Sequence, residues 1–257
     1  DASIDLKETV MFSKERKTCM NTKILVLLVI ALAAVPAMAE VVFQDNFDDG
    51  DLAGWTNTGN VWVNTDGKAV FPLGTKSPAD YYSLYTTFDN VQPENGAFKF
   101  TGEFRFLNDT YMANQNSFRV CLLDAAGLNG YTIRRAFKQD DSYGMLRLLK
   151  VTNGTETVLA SLNPVVYAAT GTWELSRDQE GLITVRINRA NSEQFDLITV
   201  TDTSFNNFGR VELKEYYYES GTPVGFSFDN IKFETVPEPA TMVLTIMGGA
   251  FMLKRRK

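Results

Sequence analysis

From Phe98 to Phe106 the chain alternates without a slip: positions 98, 100, 104 and 106 are Phe and 102 is Gly, whereas 99, 101, 103 and 105 are Lys, Thr, Glu and Arg. Period two is the signature of a half-buried strand, one face in a core and the other in water. Ile183, Val185 and Ile187 repeat it against Thr184, Arg186 and Asn188, and shorter runs fall near 61–71, 80–88, 117–123, 130–138, 145–151, 155–160, 194–200, 209–218 and 224–234. Asp66-Gly67, Asn95-Gly96, Asn129-Gly130, Asn153-Gly154 and Glu180-Gly181 separate them at hairpin spacing, with residue types that accept the positive φ of tight turns. No stretch between 40 and 236 keeps a helical period. The pattern predicts about a dozen antiparallel strands in two packed sheets, an all-β jelly-roll sandwich. In the last run Phe226 and Phe228 hold even positions but Ile231 and Phe233 odd ones. Burial of both pairs requires a β-bulge at Asp229-Asn230.

The two flanks break the pattern. Met20-Asn21-Thr22-Lys23, the apolar stretch Ile24 to Ala34, and Val35-Pro36-Ala37-Met38-Ala39 match the three regions of a secretory signal peptide, residues 20–39, with cleavage between Ala39 and Glu40. Residues 1–19 are polar, lie upstream of Met20, and read as a leader extension outside the fold. At the other flank, residues 237–257, Pro237-Glu238-Pro239 is followed by the apolar run Ala240 to Leu253 and then Lys254-Arg255-Arg256-Lys257. A helix through that run covers about 21 Å of a hydrocarbon core roughly 30 Å thick, a short transmembrane helix. The basic cluster holds its end on the cytoplasmic side. Thr241, Thr245, Gly248 and Gly249 weaken it as a permanent anchor.

Together these residues, VPEPATMVLTIMGGAFMLKRRK, resemble the PEP-CTERM sorting signal of Gram-negative bacteria. The resemblance implies export across the inner membrane by the secretion machinery, with the exosortase as partner. This membrane enzyme processes such tails near the Pro-Glu-Pro in bacteria that make exopolysaccharide. The destination is the cell surface or extracellular matrix, with a transient membrane anchor. An ordinary single-pass helix with a basic stop-transfer end leaves Pro237 to Pro239 unexplained.

Between the flanks, residues 40–236 suit one domain with a sizeable core. Of the 25 basic residues five precede Glu40 and four follow Val236, and of the 31 acidic residues four and one do; the segment keeps 16 and 26, a formal charge near −10. That balance argues against a nucleic-acid partner and against anionic lipid, and suits divalent cations. Cys121 is the one cysteine in the segment, since Cys19 lies ahead of the signal peptide, so no internal disulfide forms. Its setting in Phe118 to Leu123 reads as a small buried hydrophobe. The chain has no His, which excludes Ser-His-Asp and Cys-His hydrolysis and the commonest zinc ligand.

A second resemblance rests on Phe43-Gln44-Asp45-Asn46-Phe47-Asp48-Asp49-Gly50, Gly54-Trp55, Trp62-Val63, Asp66-Gly67 and the closing Phe228-Asp229-Asn230-Ile231. These look like the opening and closing strands of concanavalin A-like (laminin G-like) jelly rolls found in bacterial glycan-binding modules. The resemblance implies that first and last strands lie together and that carboxylates there hold a structural calcium. A bulged Asp229 beside Asp45, Asp48, Asp49 and Asp51 offers hard oxygen ligands, although no EF-hand spacing is present. The alternative is that the loop carboxylates cap a solvated turn and Asp229 takes a backbone amide.

Sugar rings pack on exposed aromatic faces while neighbouring polar groups bond the hydroxyls. Tyr216, Tyr217 and Tyr218, and Tyr82 with Tyr81 and Tyr85, are the candidates for such a glycan platform, with Asn108-Asp109 or Asn114-Gln115-Asn116 as loop partners; Trp55, Trp62 and Trp173 read as packing. Glycoside hydrolysis needs two facing carboxylates. The nearest pairs are Glu212 with Glu215, of opposite parity on one strand, and Glu174 with Asp178. The Glu-x-Asp-x-x-Glu strand motif of laminarinase-like jelly rolls is absent, so the chain reads as no enzyme. Two classes of function stay open: a non-catalytic module for a polysaccharide ligand, and a structural surface protein making protein–protein contacts.

Overall fold

The alternating segment Phe98–Phe106 forms an interior strand of an eight-stranded antiparallel sheet. The computed structural model describes residues 39–72, 82–107, 117–136, 144–165, 168–190, 192–216 and 225–236. The signal peptide up to Met38 and the sorting tail from Pro237 lie outside the described residues. The strands are β1 (Glu40–Asp45), β2 (Thr56–Asn57), β3 (Val63–Asn64), β4 (Ala69–Phe71), β5 (Ser83–Val91), β6 (Phe98–Phe106), β7 (Ser117–Leu123), β8 (Gly130–Ala136), β9 (Gly144–Thr152), β10 (Thr155–Val165), β11 (Thr170–Arg177), β12 (Leu182–Arg189), β13 (Phe195–Thr201), β14 (Phe208–Tyr216) and β15 (Phe226–Thr235). The helical content of the described residues is two short 3-10 turns, Thr58–Asn60 and Glu94–Gly96.

The first sheet runs β13-β12-β11-β6-β15-β4-β3, with β1 also paired to β15, and the second runs β10-β9-β8-β7-β14-β5-β2. Their inner faces share one core in which Phe98, Phe100, Phe104, Phe106, Phe118, Phe226, Phe228 and Phe233 are all buried. Edge-to-face and tilted ring contacts link them, such as Phe106 to Phe226 at 5.0 Å and Phe118 to Phe228 at 5.4 Å, the geometry that ring quadrupoles favour.

Gly102 interrupts the row of phenylalanines for a steric reason. It sits opposite Trp173 of β11, and a Cβ there would lie 2.5 Å from the indole Cζ2. The indole fills the inward position that β6 leaves open, and packs edge-on to Phe100 at 4.5 Å.

The bulge forms where the parity change requires it. Asp229 pairs with Glu103 and Lys232 with Thr101, so Asn230 and Ile231 stand against Gly102 alone, with Asn230 at φ 50°. Phe226, Phe228, Ile231 and Phe233 all point inward as a result. At the same place β15 changes its second neighbour, from β4 along 226–228 to β1 along 231–235. Opening and closing strands therefore lie together. Asp66-Gly67, at φ 52° and 67°, closes the β3–β4 hairpin, and Asn153-Gly154, at φ 50° and 76°, closes β9–β10.

Strand β11 has no counterpart in the alternating runs of the sequence. Its inward positions are Gly171, Trp173, Leu175 and Arg177, and only the middle two are apolar. Arg177 is buried because carbonyls of Gly96 (2.7 Å) and Phe205 accept its N–H groups and its guanidinium lies over the Phe98 ring. A second buried cation ties the sheets: Arg135 of β8, with no exposed surface, donates to Asp196 of β13 at 2.9 Å, and Arg189 of β12 holds the other oxygen at 2.6 Å. Burial pushes the Arg135 guanidinium down to about 10, against the pull of Asp196.

Gly102→Val forces a branched side chain into the volume of Trp173. Urea unfolding is expected to show a loss of about 1–3 kcal/mol, and a variant as stable as the parent would show that the indole has free space to move.

Candidate functional site

The outer face of the second sheet is set by the inner one. Phe118, Val120 and Leu122 of β7, Ile133 of β8, Leu146 and Leu148 of β9 and Leu213 of β14 enter the core, so the residues between them point outward. Cross-strand register assembles them into rows. Tyr85, Glu212, Cys121, Thr132 and Leu149 form one row. Ser83, Lys214, Arg119, Arg134, Arg147 and Ser161 form the next.

This face is concave. Arg119 of β7 forms an ion pair with Glu156 of β10, although β8 and β9 lie between and a flat sheet would hold those strands about 14 Å apart. The pair closes only because the sheet twists and curls over its outer side. Within the hollow Glu212, almost fully buried, is clamped by Arg210 and Lys214, each at 3.1 Å. The Arg210 guanidinium lies 3.5 Å from the centroid of the Tyr85 ring. Cys121, Leu123 and Val151 make a small apolar floor. Burial pushes the Cys121 thiol up to about 11, Lys214 pulling the other way, so it packs and does not react.

The expected calcium cluster does not assemble. Asp45 accepts the Phe47 amide and the Trp55 indole N–H, both at 2.7 Å. Asp48 accepts from the Asn46 side chain at 2.6 Å, Asp49 from the Asp51 amide, and Asp51 from the Ala53 amide. Asp229 is ion-paired with Lys68 of the β3–β4 hairpin and accepts the Asn230 amide. The Lys68 ammonium thus stands beside the Asp229 carboxylate. Among the described residues no group of three or more Asp, Glu or Cys side chains is gathered where it could hold a metal ion.

Of the tyrosines, Tyr82 is half-buried, its ring packed over Gly59 and 6.0 Å from Phe71, which makes it a packing residue more than a platform. Tyr216 ends β14 opposite Ser117; its side chain, with Tyr81, Tyr217, Tyr218 and the Asn108-Asp109 and Asn114–Asn116 segments, lies outside the described residues. Trp62 and Trp173 are core, and Trp55 packs on Phe43 and Phe47. Glu212 and Glu215 take opposite faces of β14, as their parity requires. Glu174 pairs with Lys99 at 2.9 Å on the first sheet, while Asp178 caps the β11–β12 hairpin.

Two further hollows are present. One of about 380 Å³ on the outer face of the first sheet is lined by Lys68, Glu103, Arg105, Thr172, Asn188 and Asp229. Another of about 400 Å³ lies among turns bearing Gln92, Asn95, Gln179 and Asn206.

Register is what sequence reading missed. Lys214, Arg119, Arg134 and Arg147 are scattered over 96 positions of sequence yet sit side by side, and no local pattern in the chain announces it.

No protein-family model matches the chain, and no curated protein is similar to it. Solved structures are. The CBM2 module of the evolved Dit of Lactobacillus casei BL23 phage J-1 superposes with a TM-score of 0.61 at 12% identity, over 78% of this chain and 98% of that one. The legume lectin-like domain from Entamoeba histolytica gives 0.58 at 10%, over 78% and 100%. The exoplasmic/lumenal domain of VIP36, in its Ca2+/Man3GlcNAc-bound form, gives 0.55 at 11%, over 78% and 91%. The shared property is the fold. This chain is an all-β sandwich of two antiparallel sheets, with the jelly-roll architecture of these structures.

Glu215, inward on β14 and 1% exposed, has both carboxyl oxygens buried without a hydrogen-bond partner. Desolvation pushes it from 4.5 up to about 8. Between those values the folded chain keeps a proton that the unfolded chain releases, so stability falls as pH rises through the window. Glu215→Gln is expected to abolish that fall, adding on the order of 3 kcal/mol above about pH 8 and little below about pH 4. Urea unfolding at the two pH values reads it, and equal effects at both would locate the proton elsewhere. The engaged loop carboxylates also predict a Tm that does not move between added calcium and chelator. A rise with calcium would show a site these residues do not make.

Proposed function

We propose that the chain is an exported glycan-binding protein without catalysis, delivered to the cell surface or matrix by its signal peptide and PEP-CTERM tail, with its polysaccharide ligand along the concave face of the second sheet. The observation that carries the reading is the hollow itself: a curled sheet with a small apolar floor, the Tyr85–Arg210 stack and a ring of fixed donors and acceptors. Such a combination suits a sugar chain, which offers apolar C–H faces and outward hydroxyls. The fold is one that carbohydrate-recognition domains use, which supports the reading by analogy.

Catalysis is disfavoured by the carboxylates. Glu212 is neutralised by two cations in the hollow, and Glu215 stands alone on the other side of the sheet, so no two acids face each other across a shared cleft among the described residues.

A second reading has one observation behind it. Leu182, Phe195 and Leu197 are exposed at the β12–β13 border of the first sheet, where β13 is an edge strand, an arrangement that suits contact with another protein.

A panel of bacterial polysaccharides and oligosaccharides tested against the whole 257-residue chain is expected to show binding that weakens on Tyr85→Ala and no release of reducing ends. Turnover lost with a single Glu substitution would replace the reading by a glycosidase. Self-association lost with Phe195→Ser, without sugar binding, would replace it by the structural one.

A further inference from the structure

Arg177, at the end of β11, braces the connections β5–β6 and β13–β14 against its own strand. Its Nε donates to the Gly96 carbonyl at 2.7 Å, and its Nη1 to the Phe205 carbonyl and, at 3.5 Å, to the Tyr131 hydroxyl. The residue is 4% exposed. Its Nη2 donates to no described residue, yet it is not sealed in: it opens on the hollow of about 400 Å³ that Arg177 helps to line. Gly96 keeps it open, since a Cβ there would stand 2.8 Å from Nη2. Around that nitrogen are Gln92, Gln179, Thr203 and Asn206, whose side chains hydrogen-bond to no other described residue. Asp178 also lines the hollow, with Oδ1 taking the Leu182 amide at 2.8 Å and Oδ2 left over. The walls are preset. The Gly96 amide is tied to the Pro93 carbonyl at 2.9 Å, and the Asp202 amide to the Gly181 carbonyl at 2.9 Å.

From this we infer that the hollow is a second sugar site, separate from the concave face, which takes a neutral hexose at the end of a glycan chain. The lining offers donors and acceptors together: Nη2 donates only, the Asp178 carboxylate accepts only, and the amides and the Thr203 hydroxyl do both. A hydroxyl group needs that mixture, because each one gives a proton and takes one. An anion would meet the Asp178 carboxylate, and a metal cation would meet the guanidinium, so neither is matched by the set as a whole. Pro93 supplies an apolar patch for a C–H face. The volume lies within the range of small-ligand sites, roughly 300–1,000 Å³, and walls drawn from three separate turns suit a terminal residue where the long face of the second sheet suits the middle of a chain. Because Arg177 is held by two carbonyls before any ligand arrives, little ordering is left to be done on binding.

The test titrates the whole chain with D-glucose, D-galactose, D-mannose and D-glucuronate, followed by calorimetry and NMR. One neutral hexose is expected to bind with a Kd of about 1 mM or tighter, and to weaken about fivefold on Gln179→Ala and about fivefold on Asn206→Ala, the worth of one hydrogen bond each. Gly96→Ala, which covers Nη2, is expected to abolish binding. The first two variants remove side chains that no other residue holds, so they keep the test open if Gly96→Ala fails to fold; circular dichroism and Tm read the fold of each. Lys99→Gln, on the outer face of the first sheet, is expected to change nothing. A short oligosaccharide carrying the preferred hexose at its non-reducing end is expected to bind at least as tightly as the free sugar, and one carrying it only in the interior is not; equal binding of the two overturns the chain-end assignment. Tighter binding of glucuronate overturns the neutral one. Hexose binding that ignores Gln179→Ala and Asn206→Ala places the site elsewhere and overturns the inference. Polysaccharide binding sensitive to Tyr85→Ala with no hexose bound overturns it too, and leaves the concave-face reading standing. Binding of no sugar of any size overturns both.

Discussion

Strand β15 has to bury large apolar side chains drawn from both of its nominal faces, and the two-against-one mismatch at Asn230-Ile231 opposite Gly102 is what allows it. Everything in the first sheet follows from that point. Before it, β15 presents Phe226 and Phe228 to the core and pairs with β4; beyond it, Ile231 and Phe233 take over and the partner becomes β1. The single residue opposite the mismatch is the glycine whose missing side chain admits Trp173. Bulge, glycine and indole thus occupy one neighbourhood, and the right-handed twist that a bulge adds is delivered at the centre of the sheet.

The two sheets divide the labour. The first is spent on packing and on short polar links across its outer face, such as Lys68 to Asp229 and Asn230 to Glu103. The second keeps its outer residues nearly as buried as its inner ones, since Ser117, Arg119, Cys121 and Thr132 are all below one-tenth exposed. Long charged side chains fold over the curled strands and shelter those beneath. At the far edge Arg135, Asp196 and Arg189 bind the sheets through charge, with the Arg135 guanidinium 5.7 Å from the centroid of the Phe104 ring. Breaking such a buried set strands charge in the interior, so it specifies the alignment of the β8 and β13 layers more than it adds stability.

Periodicity was informative where one face is purely apolar. β6, β7, β12 and the parity change in β15 were readable for that reason, as were the Asp66-Gly67 and Asn153-Gly154 turns, whose residue types the backbone conformation demands. β11 escaped because Gly171 and Arg177 hold inward positions, one to make room and the other because carbonyls and a ring face satisfy its charge. The arrangement of the acidic loop was not legible because short Asp and Asn side chains bond their own neighbouring backbone before they bond anything distant. Tyr82 is invisible as a packing residue without Gly59 opposite it. The cationic row was unreadable in principle: it exists only through three cross-strand registers.

Glu40 and Thr235 face each other across the β1–β15 ladder, and the Val236 amide is tied to the carbonyl of Ala97. The polypeptide therefore enters and leaves the sandwich at one spot. Mechanically this is a zipper and not a shear lock: tension on the two flanks loads one rung at a time, so β1 peels before the aromatic interior feels any force.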